Sequence, residues 1–557
     1  MVASATVGRR GCPAPVPSAA TARNRAVRRA IRGPAATGGD AAGPGRVTLW
    51  PVDRLTRTTP TPGPRYRVEW STVTSAADPA DVFAQRYAGR DGAFWLDSGA
   101  SDGGRYSVVG ARDGVVSHTV RYRLGDGAVT VTGTDGRTSH VPGDVFEFLS
   151  DAVARFAVEP DADLPSPFAL GYVGYLGYEL RGDSCGMPVR VRSEHDDAFF
   201  VLAERALVFD ARTGQVHAVA LVGDDETLTA ASRVWLAQTT AWLTALPHAG
   251  SRVGAAVPAP ALPLDSIEQV LEFRHPRREY LALVERCLEH IRRGESYEIC
   301  LTNTLRTGPL ADPWATYQRL RRISPVPYGA YLECGDGTTV LSASPERFLA
   351  ISRAGEVETR PIKGTRPRGR TPAEDDALRA DLLASEKDRA ENLMIVDLMR
   401  NDLSRVCETG SVHVDELFTV ETYPLVHQLV SSVRGRLRPD RGAVDCVRAA
   451  FPGGSMTGAP KRRTLEILED LEGGPRGVYS GALGWFSLDG AADLSIVIRT
   501  IVSSPSGTTM GVGGAITAMS DPAAEYAETL VKARAMAAAL VGDLLPSPEV
   551  RDVHDEP

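Results

Sequence analysis

Lysine is nearly absent from this chain. Its 557 residues carry four, Lys363, Lys387, Lys461 and Lys532, against 58 arginines. A guanidinium stays charged and is a poor nucleophile, whereas an ammonium can give up its proton. Positions that keep lysine in such a background are therefore candidates for chemistry that needs an amine. Cysteine is also sparse. The seven, at 12, 185, 287, 300, 334, 407 and 446, show no C-x-x-C spacing. That argues against a disulfide framework or a zinc site and suits a reducing cytosol. No apolar run approaches the length that spans a bilayer, so no membrane segment is expected. No G-x-x-x-x-G-K-[ST] phosphate loop occurs. A net charge of −8 gives no general pull toward nucleic acid or anionic membrane.

What is present reads as an ordinary globular protein, 43% hydrophobic and 24% charged. Residues 1–62 are different material. Ten arginines stand there among Ala, Gly and Pro, with Asp40 and Asp53 the sole acids. Such a segment cannot bury a core and is expected to be a disordered extension. It lacks the apolar stretch of a secretory signal. An early translation start or a linker remnant suits it better than an organelle transit peptide.

Residues 63–246 alternate apolar and polar positions between Gly turns. Strands are expected at Phe94 to Ser98, at Tyr106 to Gly110, and from Ala198 through Phe209. A hairpin is expected around Gly125-Asp126-Gly127. Residues 247–268 are rich in Pro and Ala, a linker. In residues 269–545, helical periodicity runs from Arg277 and stops at Gly294, and a strand follows at Tyr297 to Asn303. Residues 546–557 are expected to be a flexible tail.

Several groups of residues carry chemistry. Lys363 is followed by Gly364, which lets backbone approach a ligand. Arg366, Arg368 and Arg370 stand close in sequence, and such crowding is expected to lower the Lys363 pKa from its ordinary value of about 10.4. Asp388 and Glu391 share one helix face, as do Glu525 and Glu528 on the last helix. A lone carboxylate pair on a helix is most often solvated surface, but four on two converging helices suit magnesium, a hard cation. Arg499 is expected to end a strand and can fork onto a carboxylate. Gly511-Val512-Gly513-Gly514 can present bare N–H groups as an anion nest. Alone, each of these is as readily a surface feature or a turn.

Taken in order, P-I-K-G-T around Lys363, S-P-E-R at Glu346, A-E-N-L-M-I-V-D at Glu391, P-G-G-S-M-T-G-A-P-K to Lys461, Y-S-G at Tyr479, I-R-T at Arg499 and E-Y-A-E-T-L-V-K to Lys532 resemble component I of the chorismate-utilising enzymes. Lysine at 363, where anthranilate-forming members have Ala, points to the aminodeoxychorismate-forming branch.

The resemblance implies an α+β fold, two large antiparallel β-sheets packed as a sandwich with helices outside and the N-terminal region interleaved. It implies chorismate as substrate, Mg2+ as cofactor, Glu391 and Glu528 as direct ligands, and Asp388 and Glu525 in support. Gly364, Thr365, Tyr479, Arg499, Gly511, Gly513, Gly514 and Lys532 would bind substrate. Lys363 would be the nucleophile and Glu346 the general acid. Ser98, Pro327, Tyr328 and Gly329 match a tryptophan pocket. Glu298 replaces the lysine base of water-adding relatives, which argues against water as nucleophile, and Gln428 takes a place often held by His, with His427 beside it. The chain carries no G-x-C-x-G turn of a glutaminase, so a separate glutamine amidotransferase subunit is expected to supply ammonia in the cytoplasm. Two other readings remain open: anthranilate synthase component I, and a non-catalytic chorismate- or tryptophan-binding regulator.

Overall fold

A computed structural model describes residues 65–75, 77–98, 104–246, 262–423 and 426–544. The expected extension (1–62) and tail (546–557) lie outside them. Among the described residues are two twelve-stranded sheets, each paired antiparallel throughout its ladders. Both are shared between the halves of the chain. In the first sheet, Phe94–Asp97 joins Tyr328–Glu333, with Gly329 opposite Asp97. In the second, Gly171–Leu176 joins Ala482–Ser487, with Gly174 opposite Gly484. The central strands Gly171–Leu176 and Ala198–Ala203 are buried along their whole length. Their near-continuous apolar runs follow from being covered on both faces. Phe83, Trp314 and Tyr331 pack a helix pair onto the first sheet, with ring centroids 4.9 and 5.3 Å apart at Phe83–Trp314 and Trp314–Tyr331.

At three places the chain passes directly from one sheet to the other. The run from Ala198 through Phe209 is two strands, Ala198–Ala203 in the second sheet and Arg205–Asp210 in the first. Glu204 at the break is buried and accepts N–H bonds from Val116 (2.5 Å) and Ser117 (3.2 Å). Thr339–Ser344 likewise passes to Arg347–Ile351, and Ala492–Ile496 to Thr500–Ser504. These last two crossings run side by side. Ala343 N donates to Arg499 O (3.0 Å), and Ile496 N to Glu346 O (3.0 Å). Glu346 and Arg499 are thus fixed to each other by backbone. Arg499 therefore does not end a strand, as expected, but sits in a crossing at φ 50°. The linker expected over residues 247–268 is also shorter on its described side, because Leu264–Val270 is helical.

A buried polar cluster braces this region. The Arg476 guanidinium donates to Glu472 Oε1 (2.7 Å) and Oε2 (2.8 Å), Met456 O (2.7 Å), Cys300 O (2.9 Å) and Ser480 Oγ (3.2 Å). Removing it leaves the Glu472 carboxylate buried without its counter-ion. Arg476→Ala is expected to cost about 3–5 kcal/mol, measured as a lowered denaturant midpoint.

Candidate active site

Lys363 reaches inward because its strand is irregular. Ile362–Pro367 pairs with Val426–Arg436, but Ile362 faces Val430 while Thr365 faces Gln428. The extra residue is a bulge, a device that re-aims a side chain. Gly364 occupies it at φ 85°, and a Cβ there would lie 2.8 Å from both Asp388 Cγ and Leu382 Cδ1. Conformation and space together require glycine. The Lys363 amine crosses to the first sheet and donates to Glu298 Oε1 at 2.7 Å. Glu298 begins strand Glu298–Thr307 and is 0% exposed.

The expected arginine crowding is absent. Arg366 donates to Asp381 (2.7 Å) and Asp388 (3.0 Å), and Arg368 holds Asp375 (2.8 Å). Burial alone would lower the Lys363 pKa, but Glu298 and Glu391 outweigh it and hold the amine above the ordinary lysine range, as an ammonium.

Glu346 faces the same pocket. It is buried and accepts a 2.6 Å bond from Ser455 Oγ. Arg347, its sequence neighbour, pairs with Glu358 (2.9 Å) and Asp493 (3.2 Å) instead. Burial raises the Glu346 pKa, opposed by Ser455 and by the Lys363 charge. The Arg499 guanidinium makes no ion pair among the described residues, and burial lowers its pKa. A half-buried guanidinium without an ion pair, at the wall of a cavity, is an anion acceptor in waiting.

Gly511, Gly513 and Gly514 do not form a nest. They lie in strand Gly507–Ile516, none with positive φ, laddered to the Glu298 strand. The neighbour on the other side, Thr500–Ser504, pairs with this strand only as far as Ile501 opposite Met510. Beyond Met510 the glycines therefore continue past the end of that neighbour. A Cβ on Gly511 would lie 2.0 Å from the Tyr479 ring, so glycine there makes room for the tyrosine.

Two helices bring the acids. Ser385 caps Glu386–Ser404, its Oγ accepting from Asp388 N (3.3 Å), and Asp521 caps Pro522–Leu544 through Ala524 N (2.9 Å). Glu391 and Glu528 line the pocket. Glu525 lies behind Gly514, its Oε2 3.2 Å from where a Cβ would be. The protein's own ammonium groups hold these acids. Lys387 Nζ is 3.1 Å from Glu525 and 3.8 Å from Glu391, and Lys532 Nζ is 2.8 Å from Glu528. Asp388 is engaged by Arg366. Among the described residues no three metal-ligating groups converge in this arrangement. The donor set is nonetheless all carboxylate oxygen, and Glu391 Oε1 is buried with no hydrogen-bond partner. Both suit a hard cation.

One cavity of 830 Å³ is lined by Glu346, Lys363, Gly364, Thr365, Asp388, Glu391, Tyr479, Arg499, Gly511, Gly513, Gly514, Glu528 and Lys532, with Gln428 and Ser455. Three of the four lysines line it. The fourth, Lys461, serves structure, donating to Asp402 (2.6 Å), Ala450 O (2.9 Å) and Pro452 O (2.9 Å). His427 turns to Asp375 (3.0 Å) and Thr422 (2.9 Å), leaving Gln428 in the cavity. Ser455 and Lys387 carry no assigned role in the sequence reading. Ser455 lies in the P-G-G-S motif, and Lys387 is one of the four lysines. A second cavity of 320 Å³ gathers Ser98, Pro327, Tyr328 and Gly329 with Arg105 and Trp485.

Residues 118–538 match the family of chorismate binding enzymes. The chain belongs to that family. Aminodeoxychorismate synthase of Streptomyces pristinaespiralis is 48% identical to this chorismate-binding enzyme over 478 residues, 85% of this chain and 65% of that one. The protein of the same name from Streptomyces griseus is 49% identical over 485 residues, 87% of this chain and 65% of that one. The chain thus spans just under two thirds of these relatives. Among solved structures, anthranilate synthase component I from Streptococcus pneumoniae TIGR4 superposes with TM-score 0.64 at 27% identity, covering 83% of this chain and 97% of that one.

Proposed function

We propose that this chorismate-binding enzyme converts chorismate and ammonia to 4-amino-4-deoxychorismate, with Lys363 as a transient nucleophile. The observation that carries the reading is a largely enclosed amine, its side chain 11% exposed, aimed by a bulge into the cavity that also holds the Glu346 acid and Arg499. The names of the Streptomyces relatives agree with it. Arg499 and the Tyr479 hydroxyl bind one carboxylate of the substrate. Lys363 adds at ring carbon 2 while Glu346 gives its proton to the hydroxyl leaving carbon 4. Ammonia then adds at carbon 4 and expels Lys363. Glycines at 511, 513 and 514 keep space for the ring beside Tyr479.

Glu391 and Glu528 would hold Mg2+, with Glu525 and Asp388 behind them. The ion would supply positive charge beside the second carboxylate of the substrate. Lys387 competes for the same acids. Lys387→Met is expected to tighten Mg2+ binding severalfold, on the order of the ~1 kcal/mol of a half-exposed ion pair. Calorimetric titration of the protein without substrate checks this, and weaker binding would contradict it.

Ammonia is proposed to come from a glutamine amidotransferase subunit, with free ammonium as a poorer substitute. A cytoplasmic location is proposed. Of the six free cysteines among the described residues five are buried, and no described helix is long and apolar enough to cross a membrane. The test is product identity. Protein, chorismate, magnesium and ammonium should yield the 4-amino compound, identified by mass and ultraviolet spectrum. A 2-amino product would make the chain an anthranilate synthase, and no turnover with ammonium or a glutaminase would favour a regulator.

A further inference from the structure

Lys363 cannot attack as the ammonium in which Glu298 and Glu391 hold it. Its nitrogen must first lose a proton, and the nitrogen donates to one group among the described residues, Glu298 Oε1 at 2.7 Å. Glu298 is fully buried, and its second oxygen, Oε2, has no hydrogen-bond partner. A buried carboxylate with one oxygen on the amine and the other oxygen spare is placed to receive a proton from that amine. Its position is fixed by backbone. Ala459 lies opposite Glu298, and a Cβ on the neighbouring Gly458 would fall 1.9 Å from Glu298 O.

Other titratable groups face the pair. Glu391 comes from helix Glu386–Ser404, Lys532 from the last helix, Glu346 from its crossing, and Cys300 from the same strand as Glu298. Glu391 makes its ion pair with Lys387 rather than with Lys363. Glu346 must donate, not accept. Glu298 alone has both the contact and the vacancy.

We propose that Glu298 is a catalytic base that takes the Lys363 proton as the amine attacks and returns it when the amine departs. This rests on the reading of Lys363 as nucleophile. The balance closes. An N–H bond of Lys363 breaks, its electron pair stays on nitrogen, and the proton goes to Glu298. That electron pair forms the nitrogen–carbon 2 bond, the double-bond electrons shift, and the carbon 4–oxygen bond breaks. The hydroxyl leaves as water with the Glu346 proton. The adduct nitrogen keeps two hydrogens and a positive charge, so it is a ready leaving group. When ammonia adds at carbon 4, Lys363 departs as a neutral amine and recovers its proton from Glu298. Ammonia delivered as ammonium reprotonates Glu346.

Infrared difference spectra of the wild-type protein with chorismate and magnesium, without ammonia, test the proposal. Mass of the Lys363 peptide monitors adduct formation in parallel. A carboxylic-acid C=O band should appear with the adduct, shift in deuterium oxide, and be missing from Glu298→Gln. In Glu298→Ala, adduct formation should slow by about 10²-fold, the low end for loss of a general base, and formate should restore part of the rate. An adduct on Lys363 without the new band, or with the band kept in Glu298→Gln, overturns the role of Glu298 alone. Turnover without any adduct on Lys363 overturns both this role and the nucleophile on which it rests.

Discussion

Lys363→Ala is expected to form no covalent adduct and to lose the 4-amino product by about 10⁴-fold or more, roughly 5 kcal/mol of barrier. The loss exceeds that of an ordinary binding residue because the nitrogen–carbon 2 bond through this nitrogen forms and breaks in every turnover. Without it, ammonia must displace the hydroxyl at carbon 4 directly. Ammonia can instead add at carbon 2, the position Lys363 leaves vacant, so a small yield of 2-amino product is the expected residue of activity. Lys363→Arg should fail as completely, since a guanidinium neither gives up its proton nor attacks. The fold should survive. The strand that carries Glu298 is held by its backbone ladders and not by the ion pair. Mass spectrometry of protein and product settles the matter. Undiminished 4-amino product from Lys363→Ala would end the nucleophile reading.

Much of this site was legible in sequence because its residues sit in regular elements with clear signals. Asp521-Pro522 marks a helix start, and three-residue spacing puts Glu525 and Glu528 on one face. The scarcity of lysine singled out Lys363, Lys387 and Lys532, all of which line the cavity, together with Lys461, which does not. What stayed hidden depends on distance along the chain. Glu298 meets Lys363 across 65 residues, and no local pattern announces that pair. Arg366 and Arg368 looked like neighbours of Lys363 because their carboxylate partners, Asp375, Asp381 and Asp388, lie on the following helices. The G-x-G-G run looked like a nest because glycine signals conformational freedom, yet here Gly511 makes space for the Tyr479 ring and Gly513 for the backbone of the neighbouring strand. The apolar run from Ala198 through Phe209, which changes sheet at Glu204, reads as one strand, since burial on both sides of the crossing leaves hydrophobicity unbroken.

The crossings at Glu346 and Arg499 bear on the second large effect. Glu346→Gln is expected to lower kcat by about 10²–10⁴-fold, while substrate binding changes little, because the amide keeps shape and can still accept from Ser455. The pH profile identifies the role. Glu346 must be protonated to act, and burial raises its pKa, so wild-type activity should be present at low pH and fall as pH rises through that raised value. Glu346→Gln should lose this basic limb. Ser455 supplies an independent check of sign. Its 2.6 Å bond to Glu346 Oε1 stabilises the carboxylate and so lowers the pKa. Ser455→Ala should therefore raise it further, moving the basic limb to higher pH even as the rate drops about five- to tenfold for the lost hydrogen bond. A structural serine would slow the enzyme without moving that limb. Because the two crossings are tied at Ala343–Arg499 and Ile496–Glu346, a conservative change at Glu346 leaves Arg499 where it is. KM for chorismate should then stay within a few-fold of wild type while kcat collapses, which separates proton donation from loss of the pocket.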